Sequence, residues 1–432
     1  MKIPKTKSKL IFILSATGSA VGMANVWGFP YKFHKGGFFF LLFYLIFVFI
    51  FSYVGLSSEF AVGRMGSASV VRSYEKAIKT RFKRSKIAKY FGYLPMLISL
   101  IISVGYTIIL SYVGKALVDT INGNLRNTDP GLWFQSFSSR SFSVIEIHFF
   151  ILFLTVVISL GGFKAFNKLS SILMPTMIVI YIIVMLKMLS LENIREGYLY
   201  LFRIDRANLN IGTVIAAMGD ALFALSITGF GMVFLGKSLS ENQDIIFDSK
   251  LTGIFDTVVA LLSAFVIVPS LFVFSIEGVE GPALIFHTLP TIFNSLKRGS
   301  IFAILFYSAM LMAGITSLQH IFQAMANVLI KDFDISYKKS IYLVGIIIFA
   351  LGLGFHPLAR WSVLMDLTLY YFVPLGAILG SIIWFYVMDT NVLIKEINKG
   401  GKKKVDKKFI YIGRFIYTPL VIIVCIMSIM FH

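Results

Sequence analysis

The sequence predicts an all-α membrane protein of eleven spans, two of them broken. Three observations carry this. The 432-residue chain is 57% hydrophobic and only 14% charged, with a mean hydropathy of +0.83. A soluble domain has no means of burying so much apolar surface. Apolar runs of the ~20 residues that a bilayer core requires recur eleven times. Finally, small and polar residues interrupt the middle of the first run, "GSAVGMANVWGFP" from Gly18 to Pro30, and of the sixth, "FALSITGFGMVF" from Phe223 to Phe234.

The spans read as 9–32, 37–62, 91–121, 143–161, 169–190, 211–236, 250–275, 300–331, 338–355, 364–389 and 409–431. With the N-terminus inside, 28 of the 40 Lys and Arg residues fall in inner segments and 11 in outer ones. That asymmetry places the N-terminus in the cytoplasm and His432 outside, in a multi-pass protein of the cell's inner (plasma) membrane. The net charge of +19 is then a topology signal and a contact with anionic lipid, not a footprint for nucleic acid. The runs "KTRFKRSKIAK" and "KGGKKKVDKK" read as solvated inner loops. The basic N-terminus precedes a run too long for a secretory signal. The single cysteine, Cys425, excludes an intramolecular disulfide. No Ser/His/Asp set, metal cluster or phosphate loop stands at a catalytic spacing, so an enzyme is not expected. No polar ring repeats between spans, which argues against a channel.

The two interruptions lie five spans apart. Ser226, Thr228, Gly229 and Gly231 in span six match Gly18, Ser19, Gly22 and Asn25 in span one. Unwound backbone at mid-membrane survives only where it lines a cavity or binds something. Two such interruptions in register point to an inverted repeat with a central binding site. The bland alternative is a pair of glycine-lined helix contacts. The repeats would be 1–190 and 211–390, with 409–431 peripheral. Residues 280–296 are too short and broken to span. Glu280 and Pro282 read there as a helix start and Pro290 as a kink, giving an outer re-entrant or capping helix.

"SAVGMANVWGFPY", followed by "GGFFFLLFYLIFVFIFSYVGLSSEFAVGR", resembles the first two spans of the neurotransmitter:sodium symporter family. So do "SITGFG", "DTVVALLSAF", "AGITS" and "EINKGG" further on, in order and over nearly the whole chain. The resemblance implies a LeuT-like fold and sodium-driven uptake of an amino acid or related compound. It implies one sodium site from Gly18, Val21, Ala313, Thr316 and Ser317. The bland reading of Thr316 and Ser317 is that they bond their own helix backbone. A second sodium site would use Ala20, Asn25, Ala224 and Asp256. Ala224 lacks the hydroxyl usual there and Asp256 brings a full charge, so this site binds sodium with one ligand fewer or carries a proton.

The same resemblance places the substrate carboxylate against half-helix N-termini, with Tyr106 donating to it. Gly22 stands where amine transporters carry an acid, which favours a substrate bringing its own carboxylate. Ala20, Met23, Ala24, Ile102, Phe223, Ser226, Phe230, Ser317 and Ile321 complete a mostly apolar pocket, suited to an apolar or aromatic side chain. Tyr106 and Phe230 would also gate it.

Departures from the family pattern are specific. Gly28 replaces the Arg of "NVWRFP", which would pair with the acid Asp366 at the outer gate, and Asp220 stands where Gln is usual. Either a cationic substrate side chain, a cation or a proton takes the place of the Arg, or Lys32, His34 or Lys35 folds over the acids. "SITGFG" is one residue longer than usual, which displaces Phe230. At the inner gate, Lys5 or Lys7 would meet Asp332 or Asp334. His320 is expected to pack as a neutral, hydrogen-bonded residue against span three or five, the alternative being a proton-coupling role. The alternatives to a sodium-coupled transporter are a proton-coupled or cationic-amino-acid transporter of the same fold, and a non-transporting amino-acid sensor. Ala260 leaves chloride dependence open, and oligomeric state is not legible.

Overall fold

A computed structural model describes residues 8–66, 69–274 and 281–430. Lys5, Lys7, Glu280 and His432 lie outside the described residues. Every regular element among the described residues is helical.

Span 1 begins where Ser8 caps the helix Lys9–Ala20, its hydroxyl accepting the Ile11 N–H. Val21, with φ −59° and ψ 120°, leaves helical geometry and ends that inner half. An outer half opens with the wide turn Ala24–Gly28 and runs on through Phe29 to Gly37. Gly37 has φ +54°, and there the chain turns into span 2, which reaches Met65.

Spans 3, 4 and 5 are Tyr93–Ile121, Ile145–Leu160 and Gly162–Met188. The expected loop between spans 4 and 5 is shorter than the charge pattern implied. Gly162, at φ +73°, reverses the chain in one residue, and Lys164 and Lys168 ride on the first turns of span 5. Span 6 is split into Ile211–Ala224 and Gly231–Gly236. Spans 7, 8 and 9 follow as Ile245–Val273, Gly299–Asp332 and Tyr337–Gly352. Span 10 starts at Leu358, six residues before the expected 364, because Pro357 has the extended geometry that precedes a helix. It ends at Val387, and span 11 runs from Lys407 to Met430.

The outer segment after span 7 forms Leu284–Thr288 and the helix Leu289–Ser295. Pro290 sits in the first turn of that helix, where its missing N–H costs nothing, and so opens it instead of kinking it. Span 8 packs along spans 3 and 5, while span 7 packs along span 2 and the broken part of span 1. The breaks are thereby enclosed by protein, not lipid.

At the inner end of span 2, Arg64 is 7% exposed. Its Nε donates to Glu396 Oε1 at 2.9 Å and its Nη1 to the Gln243 and Ser240 carbonyls at 2.9 and 3.1 Å. Its Nη2 bonds the Glu396 carbonyl. One guanidinium thus ties span 2 to the loop before span 7 and to the helix Thr390–Ile397. Arg64→Ala would strip Glu396 of its buried guanidinium and leave it only the more exposed Lys399, 3.0 Å from Oε2, at a cost of up to about 3–5 kcal/mol. A large drop in the melting temperature of detergent-purified protein is expected, with a smaller one for Glu396→Gln.

Candidate functional site

The site grows out of the two breaks. In span 1 the chain between Ala20 and Ala24 frees backbone groups, and span 8 meets them. Ser317 Oγ donates to the Val21 carbonyl at 2.8 Å and to the Gly18 carbonyl at 3.2 Å. Thr316 Oγ1 lies 2.8 Å from the Ala313 carbonyl. A Cβ on Gly18 would stand 3.5 Å from the Thr316 Cβ, so the five residues form one cluster of hydroxyl and carbonyl oxygens. Thr316 does bond its own helix, as a lone threonine would, but Ser317 reaches across to span 1. Gly18, Val21, Ala313, Thr316 and Ser317 are all buried. Neutral oxygens at this density suit a hard, weakly polarising cation.

The second cluster lies on the other side of the span 1 break. Asn25 Oδ1 accepts the Gly22 N–H at 3.0 Å, and its Nδ2 donates to Asp256 Oδ1 at 2.9 Å. Asn25 and Asp256 are fully buried. The Tyr44 hydroxyl of span 2 is turned toward Asp256 and Thr257. Yet Asp256 Oδ2, Tyr44 Oη and Thr257 Oγ1 make no well-formed hydrogen bond among the described residues. An acid, a phenol and an alcohol are thus left facing one another. Ala224 closes the outer half of span 6 and is buried, and Ala20 closes the inner half of span 1.

The freed N–H groups meet span 3. The Met23 N–H donates to Tyr106 Oη at 3.2 Å. A Cβ on Gly22 would stand 2.7 Å from that oxygen, so only glycine lets the phenol approach the backbone here. Around this point Ala24, Ile102, Phe223, Ser226 and Ile321 keep partial exposure at mid-membrane depth, while Met23, Tyr106 and Ser317 are buried. The partly exposed set comes from spans 1, 3, 6 and 8. Phe230 is fully buried at the start of the inner half of span 6, one residue beyond Gly229.

Span 6 is held open by groups that the sequence motifs did not single out. Glu59 of span 2, 1% exposed, accepts the Gly229 N–H at 2.8 Å. Tyr74, on the inner helix Val70–Lys79, donates to the Gly229 carbonyl at 2.9 Å. Gly229 itself has φ +77°, a conformation that glycine supplies at no steric cost. The signal for Glu59 was present, since it is a lone acid within an apolar span. Tyr74 carried none.

The gates are rearranged. Lys32, one helical turn beyond Gly28, places Nζ 2.6 Å from Asp220 Oδ1. Of the candidates for the missing Arg, the structure sets Lys32 on Asp220, which joins the outer halves of spans 1 and 6. Asp366 is exposed and has its own interaction partner, so the two acids are not one bare pair. On the inner side Asp332 is engaged by Arg72 Nε at 2.7 Å and by the Ser69 hydroxyl. The hydrogen bond from Lys79 and that from Arg72 hold the neighbouring Glu75 carboxyl below its usual range. The start of span 1 instead docks on span 7, with Lys9 3.8 Å from Asp248 and over the Phe247 ring. Asp334 has φ +55° at the turn after span 8. His320 hydrogen-bonds the Gly231 carbonyl at 2.9 Å and stacks on Phe166 of span 5.

A helical membrane protein with two broken spans around a cluster of cation-accepting oxygens has the architecture of a secondary transporter. The family model described as the sodium:neurotransmitter symporter family matches residues 4–140 and 134–432, and the chain belongs to that family. It is similar to an uncharacterized sodium-dependent transporter of Bacillus subtilis, YhdH, at 27% identity over 98% of this chain and 96% of the relative. It is similar also to one of Haemophilus influenzae, at 27% identity over 80% of this chain and 78% of the relative. The solved structure of MhsT in complex with L-phenylalanine superposes with a TM-score of 0.86 at 26% identity, covering 98% of this chain and 99% of that one. The fold is LeuT-like, and the protein is a sodium-dependent, multi-pass membrane transporter and not an enzyme.

Glu59→Ala would leave the Gly229 N–H buried without an acceptor, at a cost of about 1–3 kcal/mol. The expected outcome is a lowered melting temperature together with loss of ligand binding. Glu59→Gln, which keeps an acceptor oxygen, is expected to recover most of both.

Proposed function

We propose that this protein couples sodium to the uptake of an apolar or aromatic amino acid by alternating access. The observation that carries this is the convergence at the span 1 break. The Gly18 and Val21 carbonyls face span 8 hydroxyls on one side, and the Met23 N–H faces Tyr106 on the other. Sodium would be held by Gly18, Val21, Ala313, Thr316 and Ser317. The substrate carboxylate would take the freed N–H groups with Tyr106, its side chain lying against the partly exposed Ala24, Ile102, Phe223, Ser226 and Ile321. That the similar MhsT structure contains L-phenylalanine supports this substrate class. Spans 1–5 and 6–10 would act as inverted repeats, with span 11 peripheral, the N-terminus cytoplasmic and the protein in the plasma membrane. The basic inner loops would face anionic lipid.

A second reading applies to the other cluster. Asp256, with Oδ2, Tyr44 Oη and Thr257 Oγ1 unpaired, would take either a second sodium or a proton. The pairing of Lys32 with Asp220 disfavours a cationic substrate side chain at that acid.

The test is binding of radiolabelled L-phenylalanine, L-leucine and L-lysine to purified protein in sodium, potassium or choline at two pH values. Sodium-dependent binding of phenylalanine or leucine is expected, as is its loss when sodium is removed. Binding that ignores sodium would sink the coupling. Ser317→Ala is expected to weaken apparent sodium affinity about tenfold or more, since it removes the hydroxyl shared by two carbonyls. Asp256→Asn separates the second reading: a proton carrier loses its pH dependence, whereas a sodium ligand loses ion cooperativity.

A further inference from the structure

The outer mouth carries an aromatic contact that the sodium and substrate clusters do not use. Trp27, half-buried on the outer half of span 1, meets Trp361 of span 10 edge-to-face, with ring centroids 6.4 Å apart and planes at 76°. Trp361 is 5% exposed, and its Nε1 donates to the Gly105 carbonyl at 2.7 Å. Gly105 precedes Tyr106, whose hydroxyl holds the Met23 N–H. Trp27 lies one turn outward from Ala24. The ring pair therefore stands directly above the broken segment and bridges the two halves of the chain.

The surroundings fit a moving part. Gly28 beside Trp27 has no side chain, and a Cβ there would meet only Asp220 Oδ1, at 3.7 Å. Trp361 is pinned by its hydrogen bond, whereas Trp27 is only partly buried. Lys32 binds Asp220, so the outer halves of spans 1 and 6 are linked and Trp27 travels with both. One ring is fixed to span 3 and the other rides on the broken helices.

We propose that the Trp27–Trp361 contact is the outer gate of this transporter, closing the mouth by ring packing. This rests on the alternating-access reading, and the experiment separates the two. In a Cys425→Ser background, which removes the one native thiol, a reporter Ala24→Cys is placed beneath the pair. Its labelling by a membrane-impermeant maleimide is followed in sodium without any substrate. An aromatic edge-to-face pair is worth up to about tenfold in an equilibrium. Trp27→Leu and Trp361→Leu are each expected to speed labelling about three- to tenfold. The double variant should be no faster than the quicker single one, and Trp361→Phe should stay near the parent rate. Unchanged labelling in both single variants, or effects that multiply in the double variant, would overturn the gate. If Trp361→Leu fails to fold, Trp27→Leu, which alters the half-buried ring, decides alone. If the chain without the reporter cysteine binds no amino acid but the reporter chain shows the expected labelling, the substrate reading is lost and the gate kept. A chain that binds L-phenylalanine in sodium with unchanged labelling loses only the gate.

Discussion

Backbone amides cannot stay unsatisfied in the middle of a bilayer, and this structure is organised around that constraint. Two helices are broken at mid-depth, and side chains satisfy the freed groups, most of them reaching in from another element. Gly229 is held from both sides, its N–H by Glu59 and its carbonyl by Tyr74. Gly22 and Met23 give their N–H groups to Asn25 and Tyr106, and the Gly18 and Val21 carbonyls accept from Ser317. The partners come from spans 1, 2, 3 and 8 and from an inner helix. The breaks therefore exist only in the assembled fold.

The same contacts explain why the site is poised to change. The Gly18 and Val21 carbonyls accept from the Ser317 hydroxyl of span 8, and a hydroxyl can turn its lone pairs toward a cation without moving its carbon. On the proposed reading, sodium would replace that shared proton as the partner of the two carbonyls. At Asp256 the balance is different. A full carboxylate there has one oxygen paired to Asn25 and the other facing Tyr44 and Thr257. On the proposed reading, charge at that point would be neutralised by the second sodium or the proton.

Much of this was legible in the sequence, for physical reasons. Hydropathy marked the spans because the bilayer fixes their length. The breaks showed because Gly18, Gly22, Gly229 and Gly231 are poor choices in a plain anchor. Pairings through space were less legible. The loss of Arg at position 28 was plain, but Lys32, His34 and Lys35 all stood within reach of the acids. The fold selects Lys32, which lies four residues beyond Gly28 and so on the same helical face. Sequence order pointed from Asp332 to the N-terminal lysines, which lie outside the described residues, and gave no sign that folding brings Arg72 and Ser69 to that acid. Boundaries failed where one residue does the work of a loop, as Gly162 does between spans 4 and 5.

The distribution of charge follows from these placements. An arginine at position 28 would join span 1 to both span 6 and span 10 through one delocalised cation. Here the link to span 6 is a lysine, a compact point charge on a flexible stem, and the link to span 10 is a ring pair. The lysine–acid pair reaches water only on its lysine side, with Asp220 2% exposed, so salt screens it in part, whereas ring packing depends little on salt. The two links therefore respond to different conditions. If the ring pair is the gate proposed above, high ionic strength would weaken the joint between the broken helices in part while leaving the contact across the mouth in place.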